Sequence, residues 1–218
     1  MTDLNDMGVS AKKAARILST SSGALRDKAL ITISKHLLNS QDKILEKNAI
    51  DIENAENAGQ TEAFIDRLIL NPERLQKMAS DTVNVASLPD PIGEVIETYT
   101  RPNGIELTRK RIPLGVIGII YESRPNITVD ISALCLKSGN VAILRGGSES
   151  FHSNMILTEI VQNAMVEVGL PKDCVQIVKN TDRNLVGEML QMDEYIDLMI
   201  PRGGLELVSR VSREASMP

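Results

Sequence analysis

Residues 112–150, IPLGVIGIIYESRPNITVDISALCLKSGNVAILRGGSES, constrain this chain more than any other stretch. They read as a buried strand, a polar turn, a helix, a second buried strand, and a glycine loop opening another helix. From Pro113 the run through Gly118, Ile119 and Ile120 is almost wholly apolar, the mark of a strand covered on both faces. Ser138-Gly139-Asn140 stops the helix, and residues 141–144 form the next buried strand. Two such strands joined through a helix make a parallel βαβ unit, whose ligand site lies beyond the carboxyl ends of its strands. Residues 121–126 and 145–150 fall at those ends.

Composition narrows the class. The chain has 218 residues, with 24 Lys+Arg against 29 Asp+Glu and a formal net charge of -5. That balance argues against nucleic-acid binding, which usually needs a basic excess. Trp is absent and aromatic residues are few, so platforms for stacking bases are missing. No apolar run approaches the roughly 20 residues needed to span a bilayer. The opening MTDLNDMGVS lacks the basic and apolar regions of a secretory signal. Cys135 and Cys174 fit no metal-ligand spacing, and reduced thiols are the default. These features predict a cytoplasmic α/β protein with no nucleic-acid partner, no membrane partner and no metal. In that setting the sequon Asn126-Ile127-Thr128 is silent.

The chain divides into three regions, all expected to belong to one domain. Residues 1–91 read as helices. One is expected from Val9 to about Thr20 with Ser10 as N-cap, and a second carries Leu25, Ala29, Ile33 and Leu37. Others span about 41–58 and 62–68, and Asn71-Pro72 opens one to about Ser87. Residues 92–111 read as a β-hairpin around a four-residue loop, 101–104, with alternating polar and apolar arms. A two-stranded ribbon is rarely stable alone, which suggests packing on another chain or domain. Its basic cluster, Arg109-Lys110-Arg111, reads as a solvated edge rather than an anion site. Residues 112–218 repeat βα, with strands near 114–120, 140–145, 174–178 and 196–200. Helices are expected near 127–138, 150–168, 182–191 and 204–214. The sheet ends without a closing strand, so the domain is expected to be incomplete at its C-terminus.

There is no G-x-G-x-x-G fingerprint and no Walker loop; Gly115 and Gly118 read as packing glycines. What remains is two glycine pairs between strand and helix, Gly146-Gly147 and Gly203-Gly204. Each is either an ordinary turn or a place where backbone approaches a phosphate and the next helix offers free N–H groups. Arg145 and Ser148 suggest a 2′-phosphate pocket, since NADP enzymes replace the ribose-binding carboxylate with a cation. The competing reading has Arg145 snorkelling at a strand end. Glu149, the nearest acid, is expected to face away. His36 and His152 have no partner that spacing supplies, and both cysteines read as buried and inert. Spacing alone supplies no reaction centre.

The stretch Tyr121 to Ser150, with GLPKDCVQIV and DLMIPRGG further on, resembles the gamma-glutamyl phosphate reductase family of the aldehyde dehydrogenase superfamily. The resemblance implies a helical lead and a Rossmann-like parallel sheet, the cofactor domain of that superfamily. It also implies NADPH-dependent reduction of gamma-glutamyl phosphate to glutamate-5-semialdehyde and phosphate, in proline biosynthesis, through a cysteine thioester. By the same likeness Arg145, Gly146, Gly147, Ser148, Gly203 and Gly204 bind NADPH/NADP, and Asn126 is the candidate oxyanion donor. Aligning from the other side puts Glu122 or Arg124 in that role, and the structural alternative for Asn126 is a helix N-cap. The hairpin would be the oligomerisation ribbon of a homo-oligomer. The family's nucleophile matches neither Cys135 nor Cys174, so this chain looks like the N-terminal half and is expected to be inactive alone. Against the oxidoreductase stand two other readings: an NADP(H)-binding module without turnover, and a helical interaction protein.

Overall fold

The computed structural model describes residues 4–218. Five helices lead: α1 (Leu4–Ser19), α2 (Gly23–Asn39), α3 (Gln41–Asn57), α4 (Glu62–Leu68) and α5 (Pro72–Ser87). The hairpin follows as β1 (Val95–Thr100) and β2 (Glu106–Lys110). The βα part runs β3 (Val116–Tyr121), α6 (Asn126–Lys137), β4 (Val141–Arg145), α7 (Phe151–Glu167), β5 (Val175–Ile177), α8 (Asn184–Met189), β6 (Leu198–Arg202) and α9 (Leu205–Glu214). No helix among the described residues is long and apolar enough to cross a membrane.

Strands β5, β4, β3 and β6 form one parallel sheet in that order. Every residue of β3 and β4 is buried, as an apolar run without alternation requires. Helices α6 and α7 pack on the sheet with α2 and α5 over them, while α1 lies against β3, β4 and β5. The two groups cover both faces. The α/β fold expected from the sequence, a helical lead on a parallel sheet, is the fold observed.

Three local expectations need correction. Helix α1 already includes Leu4, and Ser10 lies inside it, its hydroxyl donating back to the Met7 carbonyl at 3.0 Å. The buried stripe Leu4, Met7, Ala11, Ala14, Leu18 is continuous at helical spacing. Gly8, inside the helix, marks a close approach: a Cβ there would strike the Tyr195 ring. Asn126 is not an N-cap, because Pro125 holds that position and Asn126 is the first helical residue. His36 has a partner that spacing could not show, Glu167 Oε2 at 2.6 Å from its Nε2.

Elsewhere local chemistry agrees with the chain's own signals. The Asn71 side chain accepts from Arg74 N at 2.7 Å and Pro72 opens α5. Gly118 packs under Met199 and Met189. In the hairpin, Arg109 pairs with Glu97 at 3.1 Å and Arg111 with Glu94 at 2.7 Å, all exposed. The basic cluster is a solvated edge.

Candidate functional site

Register sets the site. Ile120 lies opposite Arg145 and Tyr121 opposite Arg202, so the carboxyl ends of β4, β3 and β6 stand side by side. The crevice they bound has a volume of about 520 Å3 and is lined by Arg145, Gly147, Ser148 and Arg183 among others. A hollow of about 290 Å3 beside Gly203 and Gly204 adjoins it, the two sharing Arg67, Glu122 and Ser123. The structure therefore brings Arg145, Ser148 and the Gly203-Gly204 turn to one rim.

The two glycine turns are not equivalent. After Gly146-Gly147, the N-terminus of α7 is closed by Asp51 of α3. Its carboxylate accepts from His152 N at 3.1 Å, Ser153 N at 2.8 Å and Ser153 Oγ at 2.6 Å. The expected free amides are absent there, because a carboxylate from another helix already complements the positive end. Gly146 instead permits packing, since a Cβ would press on Asn154 and the Tyr121 ring. At Gly203-Gly204 the helix end is open. No side chain caps the first turn of α9 through Gly204, and the first regular bond is Val208 N to Gly204 O. The N–H groups of residues 205–207 precede it and point outward. Among the described residues only Gly204 N is engaged there, donating to Glu122 Oε2 at 3.1 Å. No atom lies within 4 Å of a Cβ built on Gly204, so the approach is unobstructed.

Arg145 does not snorkel. It is 9% exposed, with Nη1 donating to Gly146 O and Nη2 to Thr181 O, each at 3.0 Å. The side chain thus ties the β4 turn to the segment after β5. Its Nε has no partner among the described residues. Burial pushes its pKa below the ordinary guanidinium value; Glu149 pulls it back up and the nearby Arg183 pushes it down. Arg183 is exposed, and its guanidinium has no acceptor among the described residues. Four arginines (Arg67, Arg145, Arg183 and Arg210) against three glutamates (Glu122, Glu149 and Glu206) line the crevice, and that excess of positive charge suits an anion.

Glu149 faces the crevice, contrary to expectation. Ser148–Ser150 form a short 3-10 turn that bends its carboxylate toward Ser123, accepting from Ser123 N at 3.0 Å and Oγ at 2.8 Å. Ser123 has φ 41, a left-handed conformation that turns its N–H to where Glu149 can reach it. Ser148 Oγ donates to Glu149 Oε2 at 3.3 Å.

Asn126 lies away from the Arg145 crevice, on a groove between α4, α5 and α6, with Nδ2 donating to Asp130 Oδ2 at 2.8 Å. Cys135 and Cys174 are both buried, and burial pushes each thiol up to about 12. Neither is a ready nucleophile. No group of three or more His, Cys, Asp or Glu among the described residues could hold a metal. Sequence reasoning missed Asp51, whose role depends on α3 docking on α7. It weighed Glu122 only as an alternative to Asn126, and its contact with Gly204 follows from β6 pairing with β3.

An orphaned Arg145 Nε, an Arg183 without an acceptor among the described residues and an open helix N-terminus on one rim fit the phosphates of a dinucleotide. The Aldehyde dehydrogenase family model matches residues 2–217, and members of that family use nicotinamide cofactors. A gamma-glutamyl phosphate reductase of Dehalococcoides mccartyi is 50% identical over 208 residues, 95% of this chain and 49% of that protein. Another, of Vibrio atlanticus, is 49% identical over 216 residues, 99% of this chain and 52% of that protein. The crystal structure of a gamma-glutamyl phosphate reductase from Thermotoga maritima superposes with a TM-score of 0.97 at 41% identity. It is matched by 99% of this chain, which covers 52% of it. The chain thus spans about half the length of these relatives, and it belongs to the aldehyde dehydrogenase family.

Proposed function

We propose that this chain forms the NADP(H)-binding part of a cytoplasmic reductase that converts gamma-glutamyl phosphate to glutamate-5-semialdehyde and phosphate in proline biosynthesis. The observation that carries the reading is the shared rim: the open N-terminus of α9 at Gly203-Gly204 and the Arg145–Arg183 pair border adjoining hollows. Similarity to gamma-glutamyl phosphate reductases supports the substrate.

The turn and the first N–H groups of α9 hold the pyrophosphate, whose charge the helix end favours. Arg145 and Arg183, with the Ser148 hydroxyl between strand and helix, receive the 2′-phosphate. Gly146 lets the β4 turn pack against Asn154 and the Tyr121 ring, Gly147 lines the crevice, and the carbonyls of Gly146 and Thr181 fix Arg145. Bound NADPH supplies the hydride. The thiolate that takes the acyl group and releases phosphate is neither Cys135 nor Cys174, both buried and protonated. The first helical residue, Asn126, is the oxyanion donor of this reading.

The state of the two thiols also favours a second reading, an NADP(H)-binding module without turnover. Titration with NADPH, NADH and ATP, beside a turnover assay, tests both. NADPH preference without turnover by this chain alone is the expected result. Equal affinity for NADPH and NADH would remove the 2′-phosphate pocket, and no nucleotide binding would remove the reading altogether.

A further inference from the structure

On the side of α4 and α5 lies a second groove, of about 320 Å3, which meets the Gly203-Gly204 hollow at Arg67 and Arg124. Its walls carry charges of both signs, unequally satisfied. Arg74 is occupied by Asp66 Oδ1 and the Ile69 carbonyl, each at 2.7 Å. Lys77 and Asp81 pair along α5 at 2.8 Å in the open. Asp130, one turn along α6 from Asn126, accepts only from the neutral Asn126 amide and has no ion-pair partner among the described residues. It is partly buried. Burial pushes its pKa above the usual carboxylate value, and Asp81 pushes it further against an opposing pull from Lys77. A carboxylate drawn from water without a cation is costly unless a ligand supplies one. Arg124, exposed where groove and hollow meet, has no side-chain partner among the described residues.

We infer that Asp130, with Asp81 near it on α5, is the subsite for the α-ammonium of an amino-acid substrate whose acyl-phosphate end reaches Arg124 beside the glycine turn. The assignment rests on the reductase reading and names what grips the substrate away from the reacting carbon. The charges are ordered for it. A dianionic phosphate meets Arg124 and Arg67 at one end, and an ammonium further along meets Asp130, the carboxylate there without an ion-pair partner among the described residues, with the Asp81–Lys77 pair beside it. A divalent metal does not suit the place, because no group of three or more His, Cys, Asp or Glu among the described residues could hold one.

The test compares two stable probes, 2-amino-5-phosphonopentanoate and 5-phosphonopentanoate, which differ only in the amino group. Isothermal titration into the 218-residue chain should show the amino-bearing probe binding about tenfold more tightly. Asp130→Asn, which keeps the side-chain shape, and Asp81→Asn, on an exposed helix face, should each shrink that preference. NADPH affinity, measured in parallel, should be unchanged in both variants. Equal binding of the probes by the parent chain, binding of neither, or a preference that survives Asp130→Asn would overturn the assignment. Intact NADPH binding in those cases leaves the cofactor reading standing; its loss in the parent chain would bring down both.

Discussion

Glu122 Oε2 accepts the backbone N–H of Gly204 at 3.1 Å, so the side chain that follows β3 closes on the N-terminus of α9. The same helix end is the one left open to an anion, which makes Glu122 a competitor for it. Glu122→Gln should therefore tighten NADPH binding by about threefold, the worth of one charge at a helix end. Fluorescence titration of NADPH checks this. Unchanged or weaker affinity would mean that Glu122 does not stand where the pyrophosphate goes.

Arg183 offers the cleaner probe of the 2′-phosphate pocket. Arg145 is held by two carbonyls, so its loss would disturb the turn as well as the pocket. Arg183 makes no such side-chain bonds among the described residues, and its charge repels that of Arg145. Arg183→Ala should weaken NADPH about tenfold and leave NADH unaffected. Parallel loss for both nucleotides would place Arg183 elsewhere on the cofactor.

Much of this site was legible because period and punctuation act locally. The apolar runs predict β3 and β4, and Asn71-Pro72 opens its helix where the structure has it. The rim was legible too, since residues at the carboxyl ends of parallel strands must meet there. What the sequence hid depends on contacts between distant segments. Ser10 looked like an N-cap because nothing local reveals the Tyr195 ring against Gly8, where α1 already packs. The two glycine pairs looked alike because the cap on α7 comes from Asp51, about a hundred residues away. Glu149 turns inward only because Ser123 adopts a left-handed φ and presents its N–H.

Asp51 carries a stability prediction of its own. Its buried carboxylate accepts three hydrogen bonds at the start of α7. Asp51→Ala leaves those donors unpaired inside the protein, at a cost of about 3 kcal/mol. For a chain of this size the melting temperature should fall by about 8 °C, read by circular dichroism. A shift near zero would show that water replaces the carboxylate freely.

The thiols link stability to pH. Burial lifts Cys135 from an ordinary 9.0 to about 12, so the folded chain keeps a proton that the unfolded chain releases. This contribution is fully present below pH 9 and is lost as pH rises toward 12, at up to ~1.4 kcal/mol per pH unit. Urea melts between pH 8 and pH 11 should show the decline, and Cys135→Ala should flatten it in part. Cys174, lifted likewise to about 12, and Tyr121, raised by burial, supply the remainder. Rapid reaction of either thiol with a disulfide reagent in the native chain would contradict the whole account.

The hairpin poses a different kind of question. Among the described residues its strands pair only with each other, with Tyr99 opposite Leu107, and both residues lie exposed, as does Ile96. A two-stranded ribbon with apolar side chains in water is marginal by itself, so burial against a second copy would supply what it lacks. We expect the ribbon to be an assembly surface. Leu107→Asp places a charge in the middle of it, opposite Tyr99, without touching the parallel sheet or its helices. Sedimentation should then show smaller species than the parent protein forms, while the melting temperature stays within about 1 °C because a surface substitution of this kind changes stability little. The same mass for parent and variant would take the ribbon out of assembly. A large drop in melting temperature would show instead that the ribbon packs on its own chain.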